Sequence, residues 1–175
     1  YAHLPHIFMP QTRINEADLP SANEKLNILQ MCVERLADEG YVLIGMDHFA
    51  RPDDELAIAL SEQTLQRNFQ GYSTFADTNM LAFGVSSIGF VGNSYYQSAK
   101  DLDSYYNFLN ADQLPILRGL LLSPDDVLRR EIIQQIMCQF ELNYAAVAEK
   151  YQLDFANYFA AELAELPELA KIGLI

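Results

Sequence analysis

The sequence predicts an α/β fold followed by a small, mainly helical domain. Two largely apolar runs, residues 41–46 and 80–92, lack polar alternation, as strands do when both faces of a sheet are covered. A helical pattern precedes the first run and another follows it, which is the order of a parallel β/α unit. From residue 123 onward the pattern is helical throughout. We therefore expect an α/β part over residues 1–112 and a helical part over residues 113–175.

Composition limits the class of partner and the compartment. Half of the 175 residues are apolar, which is enough for one sizeable core. The formal net charge of −13 repels polyanions, so we expect neither nucleic acid nor an anionic membrane surface as a partner. Cys32 and Cys138 lie in apolar helical patterns, which is typical of buried, reduced thiols and favours a cytoplasmic location. The chain opens at Tyr1 and closes on KIGLI, so we expect both ends to be cut from a longer protein.

The first elements follow from capping and spacing signals. Residues 1–5 resemble the end of a strand, and a helix is predicted over about residues 22–39. Ser21 and Glu24 have the spacing of a capping box, and Gly40 can end the helix in the left-handed conformation. Apolar side chains that recur every three or four residues predict its inner face: Leu26, Leu29, Val33 and Leu36.

The predicted strand at residues 41–46 is followed by polar residues and by a helix that should begin at Pro52. A turn-rich loop, RNFQGYSTFADTN, separates that helix from the second strand at residues 80–92. A further helix is predicted over residues 100–109. Residues 109–119 have the Asn, Asp and Pro of a linker, which places the domain boundary there.

The C-terminal part is predicted as a set of helices. Ser123 and Pro124 indicate a strong helix start, and two shorter helices should cover residues 143–151 and 155–171, with an interruption at Pro167. Short helices ending in GLI resemble the helical part of a winged-helix domain that stops before its wing.

Three segments should converge if the sheet is parallel, because ligands gather at the carboxyl ends of parallel strands. They are residues 1–3, 47–49 and 86–89. Asp47 and His48 form a possible acid/base pair, but a structural role is favoured since adjacent strand residues point to opposite faces. The histidines offer no spacing typical of a metal site.

Long stretches of the chain carry a family resemblance. MDHFARPDDELA at residues 46–57, LQRNFQGYSTFADTNMLAFGVSSIGFVG at residues 65–92 and the opening YAHLP resemble the oxygen-independent coproporphyrinogen III oxidases, which are radical S-adenosylmethionine (SAM) enzymes of haem biosynthesis. The resemblance covers essentially the whole chain. A related family of haem chaperones shares the fold and is the alternative, although RNFQGYS favours the oxidase.

The resemblance implies a partial (β/α)6 barrel with a C-terminal helical domain, of which this chain would hold the last strands and helices. In the family a [4Fe-4S] cluster cleaves SAM to a radical. That radical takes hydrogen from two propionate side chains of coproporphyrinogen III. Each of them then loses carbon dioxide and becomes a vinyl group, which gives protoporphyrinogen IX. The motif C-x-x-x-C-x-x-C is absent from this chain. We therefore expect the fragment alone to be inactive, to bind neither cluster nor SAM, and to self-associate through the cut face of the barrel.

The resemblance also implies site residues. Ala2, Phe69 and Gln70 would line one SAM molecule, and Ile88 would lie against the adenine of a second. Arg51 and Arg67 are candidates for pairing with substrate propionates, because a guanidinium binds a carboxylate bidentately. Arg51 has an alternative role, which is to brace the helix start beside three acidic residues.

Overall fold

The structure, a computed structural model, describes residues 3–76, 78–173 and 175. It divides into two compact units, Tyr1–Ala57 and Ile58–Ile175, and each is described by itself. Within the described ranges, no helix is both long and apolar enough to cross a bilayer.

The first unit contains two 3-10 turns, Met9–Arg13 and Glu16–Asp18, and the helix α1, Ala22–Asp38. The predicted capping box is confirmed: the Ser21 backbone N–H donates to Glu24 Oε2 at 2.8 Å, and the Glu24 N–H donates to Ser21 Oγ at 3.3 Å. The predicted inner face of α1 is only partly covered: Val33 and Leu36 are partly buried, whereas Leu26 is 63% exposed. The helix contacts β1 within the first unit.

The first apolar run forms a hairpin that the sequence analysis did not predict. Strand β1, Val42–Gly45, pairs antiparallel with β2, His48–Ala50. Met46 and Asp47 form the two-residue turn, in which Met46 has a φ of 53°. This turn reverses the chain where the sequence pattern predicted a strand running on to a polar mouth. A parallel pairing of β1 with residues 1–5 stays a prediction. The strand predicted at residues 1–5 lies partly outside the described residues, and residues 3–5 contain no strand.

Helix α2, Glu55–Ser61, starts three residues later than predicted and spans the division between the units. The Leu56 N–H donates to Asp54 Oδ1 at 2.9 Å, so Asp54 caps the first turn of α2.

The second unit begins with a short hairpin of β3, Gln66–Asn68, and β4, Gly71–Ser73. A three-stranded sheet follows, formed by β5, Ile88–Val91, β6, Ser94–Ser98, and β7, Ile116–Leu121, in that order. Both pairings in this sheet are antiparallel, so the parallel sheet expected from the apolar runs is not found in the described residues.

Two predictions about this sheet need correction. The strand expected at residues 80–92 is reduced to β5, and Met80 contributes only an isolated bridge to Phe90. The predicted linker at residues 109–119 contains most of β7, whose Arg and Gly hid a strand pattern. Helix α3, Leu102–Asn110, confirms the helix expected between these strands. Because β7 pairs with β6, hydrogen bonds connect the two sides of the domain boundary predicted at residue 112. That domain boundary stays a prediction.

The remaining helices pack around one core. They are α4, Pro124–Gln139, α5, Tyr144–Tyr151, α6, Phe155–Tyr158, and α7, Ala160–Lys171. The start of α4 is confirmed, with a capping box between Ser123 and Asp126. The core cluster consists of Leu128, Ile132, Val147, Phe155 and Phe159.

The interruption predicted at Pro167 is wrong, because Pro167 lies inside α7. The break falls at Phe159, which joins α6 to α7 with φ −104° and ψ 26° and is only 5% exposed. Burial of this ring in the core thus decides where the helix bends. The winged-helix likeness of these helices stays a prediction.

Candidate functional site

The loop RNFQGYS forms the β3–β4 hairpin, with Phe69 and Gln70 as its two turn residues. Asn68 shapes the turn, because its Oδ1 accepts a hydrogen bond from the Gln70 backbone N–H at 2.7 Å. Gly71 follows with a φ of 135°, a conformation that side-chain-bearing residues rarely adopt. Both turn side chains are exposed, and Phe69 is 60% exposed, so the hairpin presents them outward as groups that a ligand can reach.

Helix α4 holds this hairpin in place. Gln134 Nε2 donates to Gln66 Oε1 at 3.1 Å, and the Tyr72 hydroxyl donates to the Met137 carbonyl at 3.4 Å. Leu65, directly before β3, is 1% exposed and anchors the hairpin in the apolar interior. The turn residues therefore stand on a base that is fixed by both packing and hydrogen bonds.

A row of aromatic rings continues from the hairpin onto the sheet. The Phe69 ring contacts the Tyr95 ring edge-on with centroids 5.5 Å apart, and the Tyr95 and Phe90 centroids lie 4.7 Å apart. Ile88 is two residues from Phe90 in the same strand, so both side chains lie on the same face of the sheet. The structure thus brings Phe69 to the sheet face that carries Ile88.

A cavity of about 780 Å³ lies between the hairpin, the sheet and α4, and we call it the hairpin cleft. Four cationic and two anionic side chains line it, a local net charge of +2 in a chain of −13. They are Arg67, Arg129, Arg130, Lys150, Asp126 and Glu131. The cleft is therefore a basic, aromatic-walled depression on an acidic protein.

The two acidic residues that line the hairpin cleft already have hydrogen-bond partners within the chain. Asp126 Oδ2 accepts from the backbone N–H and the hydroxyl of Ser123 at 2.9 and 2.7 Å. Glu131 Oε2 accepts from Lys150 Nζ at 2.7 Å and from the Tyr151 hydroxyl at 2.6 Å. Burial works to raise the pKa of Glu131, but these hydrogen bonds and the Lys150 charge outweigh it, so the pKa is lowered and the carboxylate stays ionised.

Arg129 also has carboxylate partners, whereas Arg67 and Arg130 form no ion pair within the described residues. Arg129 Nε lies 2.9 Å from Asp125 Oδ2, and its Nη1 donates to Glu162 Oε1 at 2.6 Å. The Arg130 guanidinium lies 4.5 Å from the centroid of the Phe90 ring, and that of Arg67 lies 5.7 Å from the centroid of the Tyr72 ring. Arg67 Nε is buried without a hydrogen-bond acceptor in the described part of the chain.

The other predicted residues lie elsewhere or cannot be placed. Ala2 lies outside the described residues. Arg51 is exposed in the first unit, where its Nε lies 3.6 Å from Asp53 Oδ1, as the bracing alternative requires. Asp47 Oδ1 lies 3.0 Å from His48 Nδ1. Asp47 is in the turn and His48 begins β2, and both residues are exposed. The convergence of the three predicted segments stays a prediction.

The cysteines of this chain do not fit a [4Fe-4S] cluster, which takes three or four thiolate ligands. Cys138 is buried in α4, but Cys32 is exposed on α1, so the prediction of two buried thiols was wrong for Cys32. Burial raises the pKa of the Cys138 thiol, against the opposing charge of Arg67. Over residues 3–76, 78–173 and 175, no group of three or more His, Cys, Asp or Glu side chains is placed to hold a metal ion.

Sequence reasoning missed Arg130 and the ring partners Phe90 and Tyr95. Arg130 follows Arg129 on a helix and looks like an ordinary solvent-facing cation. The alternation of β5 and β6 would have placed the two rings on one face, had the turn at Gly92 and Asn93 been recognised as the hairpin signal between them.

Comparison with known proteins connects this site to a family. Residues 122–175 match the model of the HemN C-terminal domain. The chain is 49% identical over 175 residues to the oxygen-independent coproporphyrinogen III oxidases of Escherichia coli and Pseudomonas aeruginosa, covering all of this chain and 38% of each relative. The relative from Helicobacter pylori strain J99 is 42% identical over the same share of its length.

A solved structure agrees with these relatives. It is described as "Coproporphyrinogen III oxidase (HemN) from Escherichia coli is a Radical SAM enzyme", and it matches 99% of this chain with a TM-score of 0.95 and 49% identity. The match covers 40% of the solved chain, so this chain spans about two fifths of the length of the proteins it resembles. Over its entire length, the chain is therefore similar to part of the oxygen-independent coproporphyrinogen III oxidases.

Proposed function

We propose that this chain is part of a radical SAM enzyme that oxidatively decarboxylates two propionates of coproporphyrinogen III to give protoporphyrinogen IX. The observation that carries the proposal is 49% identity over all 175 residues to relatives named for this activity, together with the TM-score of 0.95. The cytoplasmic location expected from the sequence remains part of this proposal.

The chain's contribution is to hold SAM rather than to cleave it. Phe69 and Gln70 are exposed turn residues on a base fixed by α4, and their types fit a ligand with an adenine ring and polar groups. The Gln70 amide can both donate and accept a hydrogen bond. Ile88 supplies an apolar surface on the adjoining sheet, and Ala2 is kept as a candidate from the family resemblance.

The SAM-cleaving cluster cannot be assigned to this chain, whose cysteines do not fit it, so we derive no step through the cluster. When bound, SAM would supply the radical that takes hydrogen from a propionate side chain. The residues in hand would orient the cofactor and the substrate. Arg67 and Arg51 are the candidates for binding propionate carboxylates, and of the two only Arg67 lines the hairpin cleft.

The test is carbon dioxide release by the full-length protein that contains this chain. Coproporphyrinogen III with labelled propionate carboxyls is incubated anaerobically with SAM and a reductant, and two equivalents of labelled carbon dioxide per substrate are expected. Omitting SAM is the control and should abolish the release. No release, accompanied by tight haem binding, would instead support the haem chaperone alternative.

A further inference from the structure

Two arginines of the hairpin cleft stand out among the cations of this chain. The sequence contains 11 Lys and Arg residues and 24 Asp and Glu residues, so acidic partners are abundant. Six of these cations make no ion pair or side-chain hydrogen bond with the described residues. Four of the six are exposed and can be hydrated by water: Arg13, Lys25, Arg35 and Lys100. Only Arg67 and Arg130 are partly buried, and both line the same cavity.

An unpaired, partly buried guanidinium is costly, because burial removes water without returning an acceptor. Arg67 bears this cost at Nε, a buried donor without an acceptor in the described ranges. Neighbouring carboxylates do not relieve it, since Asp126 and Glu131 are engaged by Ser123 and by Lys150 and Tyr151. The cleft therefore contains two guanidinium groups whose hydrogen-bond donors are available. An anion from outside the chain would accept hydrogen bonds from both.

The positions of the two arginines are fixed by rings rather than by acids. Arg130 stacks 4.5 Å from the Phe90 centroid, and Arg67 lies 5.7 Å from the Tyr72 centroid. A ring orients a guanidinium without using up its hydrogen-bond donors toward the ligand. Phe90 also contacts Tyr95, which extends an apolar wall beside the cationic groups. A fitting ligand therefore joins a carboxylate to a large apolar or aromatic body.

We propose that Arg67 and Arg130 form a clamp for one propionate carboxylate of the tetrapyrrole, with the edge of the macrocycle against Phe90 and Tyr95. The proposal rests on the proposed function for the identity of the ligand, but the clamp is a binding device and its test is separable from catalysis. A cavity of about 780 Å³ is large enough to take the body of a ligand as well as its carboxylate.

The test measures binding of coproporphyrin III, the stable oxidised tetracarboxylate, to the full-length protein that contains this chain. Its tetramethyl ester, which has the same shape without the negative charges, is the second probe. Arg67→Met and Arg130→Met each remove a guanidinium group and retain much of the aliphatic part of the side chain. Arg35→Met is the matched control, because Arg35 is exposed on α1 and has no ion pair within the described residues.

Each cleft variant should raise the Kd for coproporphyrin III about 10- to 100-fold, the range for losing hydrogen bonds to a charged group. The control should stay within about twofold of the unmodified protein, as surface substitutions usually do. Binding of the ester should respond little to either cleft substitution. If both guanidinium groups bind one carboxylate, the double variant should raise the Kd by less than the product of the two factors measured for the single variants.

Several outcomes would overturn the clamp. They are unchanged coproporphyrin affinity in both variants, equal loss for the acid and the ester, and no coproporphyrin binding by the unmodified protein. If a Met variant lowers the melting temperature, Arg67→Lys and Arg130→Lys decide the matter, because they keep the charge and must still weaken acid binding more than ester binding. Arginine-dependent binding without carbon dioxide release would leave the clamp standing and refute the proposed function.

Discussion

Replacing Gly89 with alanine should disrupt the three-stranded sheet through a single side chain. Gly89 in β5 is buried and lies opposite Tyr96 of β6. A Cβ atom added at Gly89 would overlap three atoms of the Tyr96 side chain, namely Cζ, Cε1 and the hydroxyl oxygen. The ring must move, and its hydroxyl then loses the hydrogen bond it accepts from the Ala82 backbone N–H at 3.1 Å.

The magnitude follows from two costs. Overpacking a well-filled site costs about 1–3 kcal/mol. Loss of the Ala82–Tyr96 hydrogen bond adds about 0.5–1.5 kcal/mol. We therefore expect Gly89→Ala to lower the free energy of unfolding by about 1.5–4.5 kcal/mol. Gly119→Ala is a matched control on the other side of Tyr96, because an added Cβ there meets only the Tyr95 carbonyl oxygen, at 3.2 Å, and should cost less.

Urea unfolding followed by circular dichroism measures these differences. The decisive comparison is a double-mutant cycle with Tyr96→Ala, which removes the ring that the added methyl would strike. In that background Gly89→Ala should cost little, because the space is open. If the cost is the same with and without the Tyr96 ring, or if Gly119→Ala is equally harmful, the overlap is not the cause and the reasoning is refuted.

Three further predictions concern the β3–β4 turn, an alkaline transition and a helix cap. Gln70→Ala should weaken SAM binding to the full-length protein about 10- to 100-fold in calorimetry; a lowered melting temperature with unchanged affinity would show that Gln70 is structural. Burial and the hydrogen bond to Glu131 raise the pKa of Tyr151 from 10.0 to about 12, so the folded state keeps a proton that the unfolded chain has lost. Stability should therefore fall as pH rises from 10 to about 12, and Tyr151→Phe should flatten this slope in melting curves; an identical slope in the variant would exclude Tyr151 as its source. Ser123→Ala should cost about 1 kcal/mol in urea unfolding, since Asp126 would lose its capping partner; no cost would mean that the cap is redundant.

The starts of α1 and α4 were predictable because their causes lie within four residues. The capping boxes at Ser21 and Ser123 are each complete in a single turn, and the structure reproduces both. No distant partner is needed to satisfy these first backbone N–H groups. The same locality explains why the helix at Leu102–Asn110 was found from its own sequence.

Strand pairing was not predictable from the apolar runs. Val42–Gly45 has the composition of a buried parallel strand, yet its partner is His48–Ala50, immediately after a two-residue turn. An apolar run indicates that a strand is buried, but it does not indicate which neighbouring strand it pairs with or in which direction. Strand β7 was missed because Arg118 and Gly119 interrupt its apolar residues and because all six of its residues are exposed, so it has no alternation of buried and exposed positions.

The same difference between local and distant causes applies to the residues of the candidate site. Phe69 and Gln70 were predicted from the family resemblance, and Arg67 from the fit of a guanidinium to a carboxylate. All three lie in one short motif, which forms a single hairpin. Arg130 was missed because its role depends on the Phe90 ring, 40 positions earlier in the chain, and on the absence of a nearby free carboxylate. Neither condition can be seen in the residues beside Arg130.

Helix α4 has two separate sets of partners, and this ties the hairpin to the end of the chain. One side of the helix contributes Leu128 and Ile132 to the core with α5 and α6, while Gln134 and Met137 hold the β3–β4 hairpin. A two-stranded hairpin is at best marginally stable alone, so it depends on the helix for its order. Loosening of the terminal helices would therefore loosen the hairpin as well, and the amides of both should exchange with solvent through a shared opening reaction.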